Sequence, residues 1–335
     1  AAGTYKPKYG YNLQTPANKS GLMYEINSSV TIIGGYPADA TGTNVPSEPK
    51  KYHTVFDGDI DGDDEISETK DDDYLSVSVT NRKDNSSYMF FSQSNKELHV
   101  GFDGISVKNS GGAVYILNPD KNVKISNSEF TYNDNAVYMP YEGENLEVYN
   151  SKFSKNFSNV IYMPTASNLT MDSILFENNQ RNLVYIPGTS GVNPNHNVRL
   201  NRIYAYTNGD SSAIVYSIGH DFVLSNSEFK NNRGLLYLYD NTRIDSTIFE
   251  NNYGDFTKYG VLGFEINECS FVDNKTNGRF ISSMKNGTEL NHFSVTKSSF
   301  KNTISNGLLY VVSDSVTVDS SEFVASSNGR IEFIN

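Results

Sequence analysis

The chain has 335 residues, and its 41 Asn and 40 Ser together outnumber its 66 charged residues (27 Lys and Arg, 39 Asp and Glu). A disordered chain of this length should carry more charge and few aromatic residues, whereas this one has 23 Tyr and 19 Phe, enough for a core. A helical bundle is also disfavoured, because Asn and Ser compete with the backbone for hydrogen bonds and form helices poorly. The composition therefore predicts an all-β chain.

The net charge of −12 is concentrated in one segment. Residues 57–73 hold ten acids and one Lys, a local charge of −9, which leaves −3 for the other residues. No basic stripe is present, so we expect no nucleic-acid partner. No apolar run approaches the length of a membrane span, and Cys269 stands alone and can form no internal disulfide.

The first part of the chain, residues 1–122, predicts several less regular coils with a long excursion near residues 36–74. No signal-peptide pattern is visible. Residues 1–5 read like the middle of a strand and a turn, which indicates a mature or trimmed chain.

The acidic segment contains the sharpest local motif, which runs from Asp57 to Glu68 and fits the calcium-loop pattern D-x-[DN]-x-[DN]-G-x5-E. Two features argue against an EF-hand. Asp64 occupies a position that is usually apolar in that motif, and the sequence predicts no flanking helices. The alternatives are a bound Ca²⁺ and a solvated acidic loop. The expected ligands are Asp57, Asp59, Asp61, Asp63 and Glu68.

From residue 123 onward the sequence repeats every 20 to 29 residues, and each repeat is anchored by an aromatic residue. Five and seven residues before most anchors the side chain is apolar, with polar residues between, as in a half-buried strand. The anchors are Phe130, Phe153, Phe176, Tyr204, Phe229, Phe249, Phe271, Phe300 and Phe323. The apolar spacing slips around Arg199 and Arg202, which predicts a bulge there or, alternatively, a cleft.

An Asn follows six of the nine anchors by three residues. Asn tolerates left-handed backbone conformations and suits a tight corner, and stacked Asn side chains can also hydrogen-bond from one repeat to the next as a ladder. A second short apolar strand follows in several repeats, as in the segments 136–139, 160–163, 183–186, 235–238 and 308–311.

The repeats contain strands and no helix, and their period lies in the low twenties. This pattern predicts a β-solenoid whose strands pair in parallel from coil to coil. A leucine-rich repeat is the main rival at this period, but its Leu-x-x-Leu-x-Leu framework is missing. We therefore expect residues 1–335 to form one all-β domain, a single-stranded right-handed parallel β-helix.

The repeats resemble those of a known group of surface proteins. Segments such as Phe130-Thr-Tyr-Asn133 and Phe153-Ser-Lys-Asn156 look like the F-x-x-N repeat of the chlamydial polymorphic membrane proteins. Gly111-Gly-Ala-Val114 looks like their G-G-A-[ILV] motif. The wider similarity is to bacterial surface β-helix proteins, including those of Bacteroidetes. The resemblance implies a secreted or cell-surface setting, on the exterior of a bacterial outer membrane, and an adhesive or glycan-facing role.

The second strand carries a recurring Tyr. If the apolar residues on either side of it point inward, the Tyr must point outward, and a row of exposed rings offers faces on which sugars can stack. The alternatives are a covering loop or the opposite register. The predicted ligand-binding residues are Tyr138, Tyr162, Tyr185 and Tyr237.

No catalytic residue is assigned, because no spacing shows that acids and a base converge. We expect a binding or adhesion module that meets a polysaccharide, a host or cell-surface glycan, or a protein. The alternatives are a lyase or hydrolase acting on an acidic polysaccharide and a purely structural stalk. The enzyme alternative would use the polar side of the strand before the anchors, at Glu147, Asp172, Asp245, Glu265 and Asp319.

Overall fold

Each coil of the chain contributes three short strands, and each strand pairs in parallel with its counterparts in the neighbouring coils. The coils wind to the right, as parallel crossovers nearly always do. The predicted right-handed parallel β-helix is therefore confirmed. The computed structural model describes residues 1–10, 18–41, 45–71, 74–94, 96–117, 121–141, 144–165, 168–188, 197–209, 213–259, 263–284, 291–324 and 330–334.

The strands form three faces that follow one another along the chain, which we name the tyrosine face, the leading face and the anchor face. The tyrosine face comprises Tyr24–Glu25, Tyr88–Ser92, Gly112–Ile116, Asn135–Tyr138, Ile161–Tyr162, Val184–Ile186, the first halves of Ala213–Ser225 and Leu235–Asp245, Phe256–Tyr259, Arg279–Met284, Gly307–Val312 and Ile331–Ile334. The leading face comprises Val30–Ile33, Leu98–Asp103, Lys121–Ser126, Asn145–Tyr149, the first halves of Asn168–Glu177 and Asn197–Tyr206, the second halves of Ala213–Ser225 and Leu235–Asp245, Phe264–Asn267, Phe293–Thr296 and Val316–Asp319. The anchor face comprises Gly3–Tyr5, Thr54–Asp57, Ser106–Lys108, Glu129–Thr131, Lys152–Ser154, the second halves of Asn168–Glu177 and Asn197–Tyr206, Glu228–Lys230, Ile248–Glu250, Ser270–Val272, Ser299–Lys301 and Glu322–Val324.

Two elements stand apart from these faces. An antiparallel hairpin joins the strands Glu65–Asp71 and Tyr74–Thr80 and contains Glu65, Glu68 and Asp71 of the acidic segment. Residues 72 and 73, which close the acidic run, lie outside the described residues. The single helical element in the described ranges is the 3-10 turn Lys19–Gly21.

The register shows that one predicted anchor is wrong by one residue. Phe176 pairs with Ala205, and Ala205 pairs with Phe229, so Ala205 occupies the anchor position. Ala205 is fully buried, whereas Tyr204 is 39% exposed. An aromatic pattern predicts Tyr204 instead, because the true anchor in this coil is small.

The bulge predicted around Arg199 and Arg202 is also wrong, whereas the alternative of a cleft there stays a prediction. The strand Asn197–Tyr206 keeps one constant register with each of its neighbours. The register shifts occur where Ala213–Ser225 pairs with Leu235–Asp245. They lie between Ala213 and Val215 and between Ile218 and Asp221. Counted from Ala205, the coil has the same apolar spacing as the others, and Asn208 follows its anchor by three residues.

The regular register reaches further towards the N terminus than the predicted boundary at residue 123. The strands Leu98–Asp103 and Ser106–Lys108 already pair 23 residues ahead with the following coil. Ser106–Lys108 also pairs with Thr54–Asp57, so a solenoid strand interrupts the excursion predicted near residues 36–74.

The anchors form two stacks of rings inside the solenoid. Phe130, Phe153 and Phe176 stack with centroids 5.0 and 5.4 Å apart, and a second stack runs from Phe229 to Phe323. Ala205 separates the two stacks.

The Asn that follows seven of the nine anchor positions, counting Ala205, forms the predicted ladder inside the corner. Asn156 Nδ2 donates to Asn179 Oδ1 over 2.8 Å and to the carbonyl of Phe130 over 3.1 Å. The ladder runs unbroken through Asn133, Asn156, Asn179, Asn208, Asn232, Asn252 and Asn274. The left-handed backbone lies one residue earlier, for instance at Tyr132 and Asn178, so assigning it to the ladder Asn was wrong.

Two ionisable side chains are buried at the start of neighbouring leading-face strands. Lys121 and Glu144 are both fully buried, and Glu144 Oε1 has no hydrogen-bond partner. Glu144 Oε2 accepts the backbone N–H of Tyr141 over 3.2 Å. Burial raises the pKa of Glu144 to about 9, although Lys121 and the Tyr141 N–H favour the ionised form.

Candidate functional site

The tyrosine face carries an in-register row of outward tyrosines. Val137 and Met139 are fully buried, and Tyr138 between them is half-buried on the outer side. Pairing places Tyr138 beside Tyr162 and Tyr162 beside Tyr185 in successive coils. The outward direction predicted for the four tyrosines is therefore confirmed.

Two members of this tyrosine row were missed from the sequence. Tyr115 pairs with Tyr138, and Tyr216 pairs with both Tyr185 and Tyr237. The signal was present, because each follows two or more apolar residues, as in Ala213-Ile-Val-Tyr216. The tyrosine row thus consists of Tyr115, Tyr138, Tyr162, Tyr185, Tyr216 and Tyr237.

The rings of the tyrosine row pack in two ways. The terminal pairs stack nearly parallel, Tyr115 on Tyr138 at 4.4 Å and 10° and Tyr216 on Tyr237 at 4.5 Å and 5°. The three central contacts are 5.0 to 5.5 Å long, with interplanar angles of 72°, 50° and 46°. Because stacked rings cover each other's faces, the tilted central rings around Tyr162 and Tyr185 leave more ring face for a ligand.

Burial also affects the protonation of two of these phenols, those of Tyr115 and Tyr162. Burial, together with the neighbouring phenols of Tyr88 and Tyr138, raises the pKa of Tyr115. Burial likewise raises the pKa of Tyr162. Tyr115 and Tyr162 are therefore neutral hydrogen-bonding groups at any physiological pH.

In the acidic segment, the predicted metal ligands do not form one cluster. Asp57 lies at the end of an anchor-face strand and binds Lys108 Nζ at 3.0 Å and Asn109 Nδ2 at 3.0 Å. Asp61 pairs with Lys19. Both carboxylates therefore already have a protein partner.

Glu68 lies on the hairpin and faces the solenoid. It accepts the Tyr132 hydroxyl at 2.8 Å and Lys155 Nζ at 2.5 Å. These bonds lower the pKa of Glu68, the bond from Lys155 being the larger cause. The structure thus uses Glu68 to hold the hairpin against two coils rather than to close the acidic loop.

The structure does bring together Asp59, Asp63 and Asp84, each with a carboxylate oxygen within 4.8 Å of the others. The buried Asp59 accepts the backbone N–H groups of Gly62 and Asp63, at 2.6 and 3.2 Å. Asp84 comes from the turn after the hairpin, which no spacing in the acidic motif could indicate.

Two buried oxygens accompany this acidic cluster. Asp64 Oδ1 and Asn85 Oδ1 are buried without a hydrogen-bond partner, and Asn85 Nδ2 donates to Asp64 Oδ2 over 2.8 Å. Burial raises the pKa of Asp64. Carboxylate and amide oxygens are the ligand types that Ca²⁺ takes in proteins.

The five carboxylates considered for catalysis fall into two outward rows of the leading face. Glu147 and Asp172 are diagonal neighbours in adjacent coils, as are Asp245 and Glu265, roughly 8 Å apart by strand geometry. Asp319 lies three coils beyond Asp245. The register therefore makes two separate pairs rather than one line of acids.

Asp172 is not poised to donate a proton. Arg202 binds it through Nε at 2.7 Å and Nη2 at 2.6 Å. These hydrogen bonds hold the pKa of Asp172 below its usual range, whereas a general acid needs a raised pKa.

No helix among the described residues has both the length and the hydropathy needed to cross a membrane. The family model described as "Right handed beta helix region" matches residues 76–204, which is well under half of the chain. Comparisons with curated proteins and with solved structures find no match. The chain is thus similar over its central coils to the right-handed β-helix family, in agreement with its fold.

Proposed function

We propose that this protein is a secreted or cell-surface β-helix that binds glycans through its tyrosine row without transforming them. The observation that carries the proposal is the alignment of six half-buried tyrosines, one per coil, on the outer side of one face. Aromatic rings with a polar hydroxyl suit sugars, which present both C–H groups and hydroxyls. A contiguous row of aromatic rings on a solvent-exposed surface is typical of a binding site.

The surface setting and the adhesive role draw further support from the F-x-x-N repeats, which resemble those of chlamydial polymorphic membrane proteins. The repeat Asn forms the buried ladder, and the G-G-A-V segment opens the strand Gly112–Ile116. Both motifs therefore serve the fold, while the tyrosines lie outside them.

A glycan array tests the proposal, followed by affinity measurements on tyrosine variants. Tyr162→Ala and Tyr185→Ala should each weaken binding about 5- to 10-fold, since one aromatic contact contributes about 1 kcal/mol. The matched control is Tyr149→Ala, which removes an outward, half-buried tyrosine from the leading face. Equal losses in all three variants, or no retained glycan, would contradict the proposal.

The second candidate function is a lyase or hydrolase on the leading face. It is favoured by the two diagonal carboxylate pairs and by a groove of about 540 Å³. The groove is lined in part by His99, Asp103, Asn122, Lys124 and Glu147, with Gly101 beside them. New unsaturated-uronate absorbance or new reducing ends that vanish in Glu147→Gln would establish it. A structural stalk would show neither binding nor turnover.

We also propose that Asp59, Asp63 and Asp84 hold a Ca²⁺ ion that ties the hairpin to the solenoid. The proposal is supported by the three converging carboxylates and by the unpartnered oxygens of Asp64 and Asn85. Lys19 lies close by and would partly offset the charge. A calcium titration followed by thermal melting tests this proposal, and a melting midpoint that calcium does not change would contradict it.

A further inference from the structure

A second apolar row runs beside the tyrosine row, two residues further along each coil. Its members are half-buried, like the tyrosines. They are Leu117, Pro140, Pro164, Pro187, Ile218 and Tyr239. Pro suits this position because it has no N–H to donate, and the strands of these coils end just before it. We name the two rows together the apolar strip.

The apolar strip contains no charged side chain in either of its rows. On the other side of the tyrosine row, three successive coils place half-buried amides at Asn135, Asn159 and Asn182. The strip is therefore a straight uncharged surface with amide groups along one edge. An acidic ligand would lose hydration on this surface without gaining a cationic partner from it.

The strip also has a fixed period along the solenoid axis. Successive strands are about 4.8 Å apart, and the ring centroids of the tyrosine row follow at 4.4 to 5.5 Å. In an extended chain of equatorially linked pyranoses, each sugar advances by nearly this coil spacing. A chain laid along the axis would therefore place one sugar beside each of the six coils, with the tilted rings of Tyr162 and Tyr185 offering the most ring face.

We infer that the apolar strip binds a neutral, extended, linear polysaccharide that lies parallel to the solenoid axis with one sugar per coil. This inference rests on the proposed glycan-binding function and specifies its ligand. A chain that coils on itself, such as an α-1,4-linked glucan, cannot keep the register. A uronate polymer keeps a similar repeat but carries a charge on every residue.

The first experiment measures affinity by calorimetry for oligosaccharides of two to six sugars. The neutral extended probes are β-1,4-linked glucose, xylose, mannose and N-acetylglucosamine oligomers, and the comparison probes are maltohexaose and hexagalacturonate. At least one neutral series should bind more tightly with each added sugar up to six, and at least tenfold more tightly than either comparison probe. Its affinity should not change between low and high salt, because no ion pairs form.

The second experiment places a charge inside the strip. Pro164→Glu should weaken the neutral hexasaccharide at least tenfold, whereas Thr170→Glu, which puts the same charge on the leading face, should not. Melting curves verify that both variants fold. If either variant does not fold, the affinities of the unmodified protein for oligosaccharides of increasing length still test the inference.

The outcomes separate this inference from the function on which it rests. If the protein binds an acidic or helical glycan and Tyr162→Ala weakens that binding, the glycan-binding function stands and the inference is wrong. Equal affinity for the disaccharide and the hexasaccharide would also overturn it. If no glycan binds to the protein, both fail together.

Discussion

The side-chain amide of Asn156 lies 2.8 Å from the side-chain oxygen of Asn179 in the next coil. The same Nδ2 donates to the Phe130 carbonyl, and Asn156 Oδ1 accepts the backbone N–H of Asn133. One fully buried side chain therefore joins three coils.

Asn156→Ala should lower the free energy of unfolding by about 3 kcal/mol or more, because several buried groups lose their partners at once. The matched control is Asn168→Ala, which breaks an Asn–Asn bond of the same 2.8 Å length on the exposed side of the leading face. Its cost should stay below about 1 kcal/mol, since water replaces the lost bond. Urea denaturation measures both values, and equal losses would contradict the role given to burial.

Glu144 predicts a pH dependence of stability. Its folded pKa of about 9 lies above the ordinary value of 4.5, so the folded state keeps a proton that the unfolded chain releases. Its contribution to stability should therefore fall as pH rises from about 4.5 to about 9.

Glu144→Gln should remove that decline and raise the free energy of unfolding at pH 8, because Gln stays neutral in both states. Glu147→Gln, three residues away and exposed, serves as the control and should leave the pH profile as it is. Urea unfolding at a series of pH values provides the test. A profile that Glu144→Gln does not change would show that Glu144 is ionised in the folded protein.

The two possible ligand sets for Ca²⁺ can be separated by mutation. Asp84→Asn should abolish any calcium-dependent rise in melting midpoint, because Asp84 belongs to the cluster that the structure assembles. Glu68→Gln should preserve that rise, since Glu68 is bound to Lys155 and Tyr132 instead. The opposite pattern would support the EF-hand arrangement expected from the motif. Mg²⁺ at equal concentration controls for general screening of charge.

The hairpin should detach from the coils in acid. The pKa of Glu68 is lowered by Lys155 and Tyr132, so its contact is present at neutral pH and is lost as pH falls through this lowered value. Glu68→Gln should make the hairpin more sensitive to limited proteolysis at pH 7 while the solenoid melts at an unchanged temperature. Glu65→Gln, on the same strand, should not change the cleavage rate. A uniform increase in cleavage along the chain would contradict this account.

The fold could be predicted because each recurring position of the repeat has a physical reason for its residue type. The apolar alternation marks the strands, the Asn after most anchors marks the corner, and both recur in one register. The error at Tyr204 arose where a small residue, Ala205, replaces the aromatic anchor, so the most visible residue was no longer the structural one.

The candidate sites were less predictable for a different reason. The four predicted tyrosines follow directly from strand periodicity, and Tyr115 and Tyr216 obey the same pattern. The acidic cluster depends on Asp84, which the hairpin returns to Asp59 and Asp63 after some twenty residues. Motif spacing describes a contiguous loop and contains no information about a residue brought back by a hairpin.

The Asn ladder passes through Asn208 without a break at the coil where Ala205 interrupts the ring stacks. The hydrogen-bonded corner therefore sets the register even where the aromatic filling is absent. A whole coil that keeps its corner Asn could be copied or deleted without orphaning a buried amide. Under the proposed function, the number of coils would therefore set the length of glycan that the tyrosine row can contact.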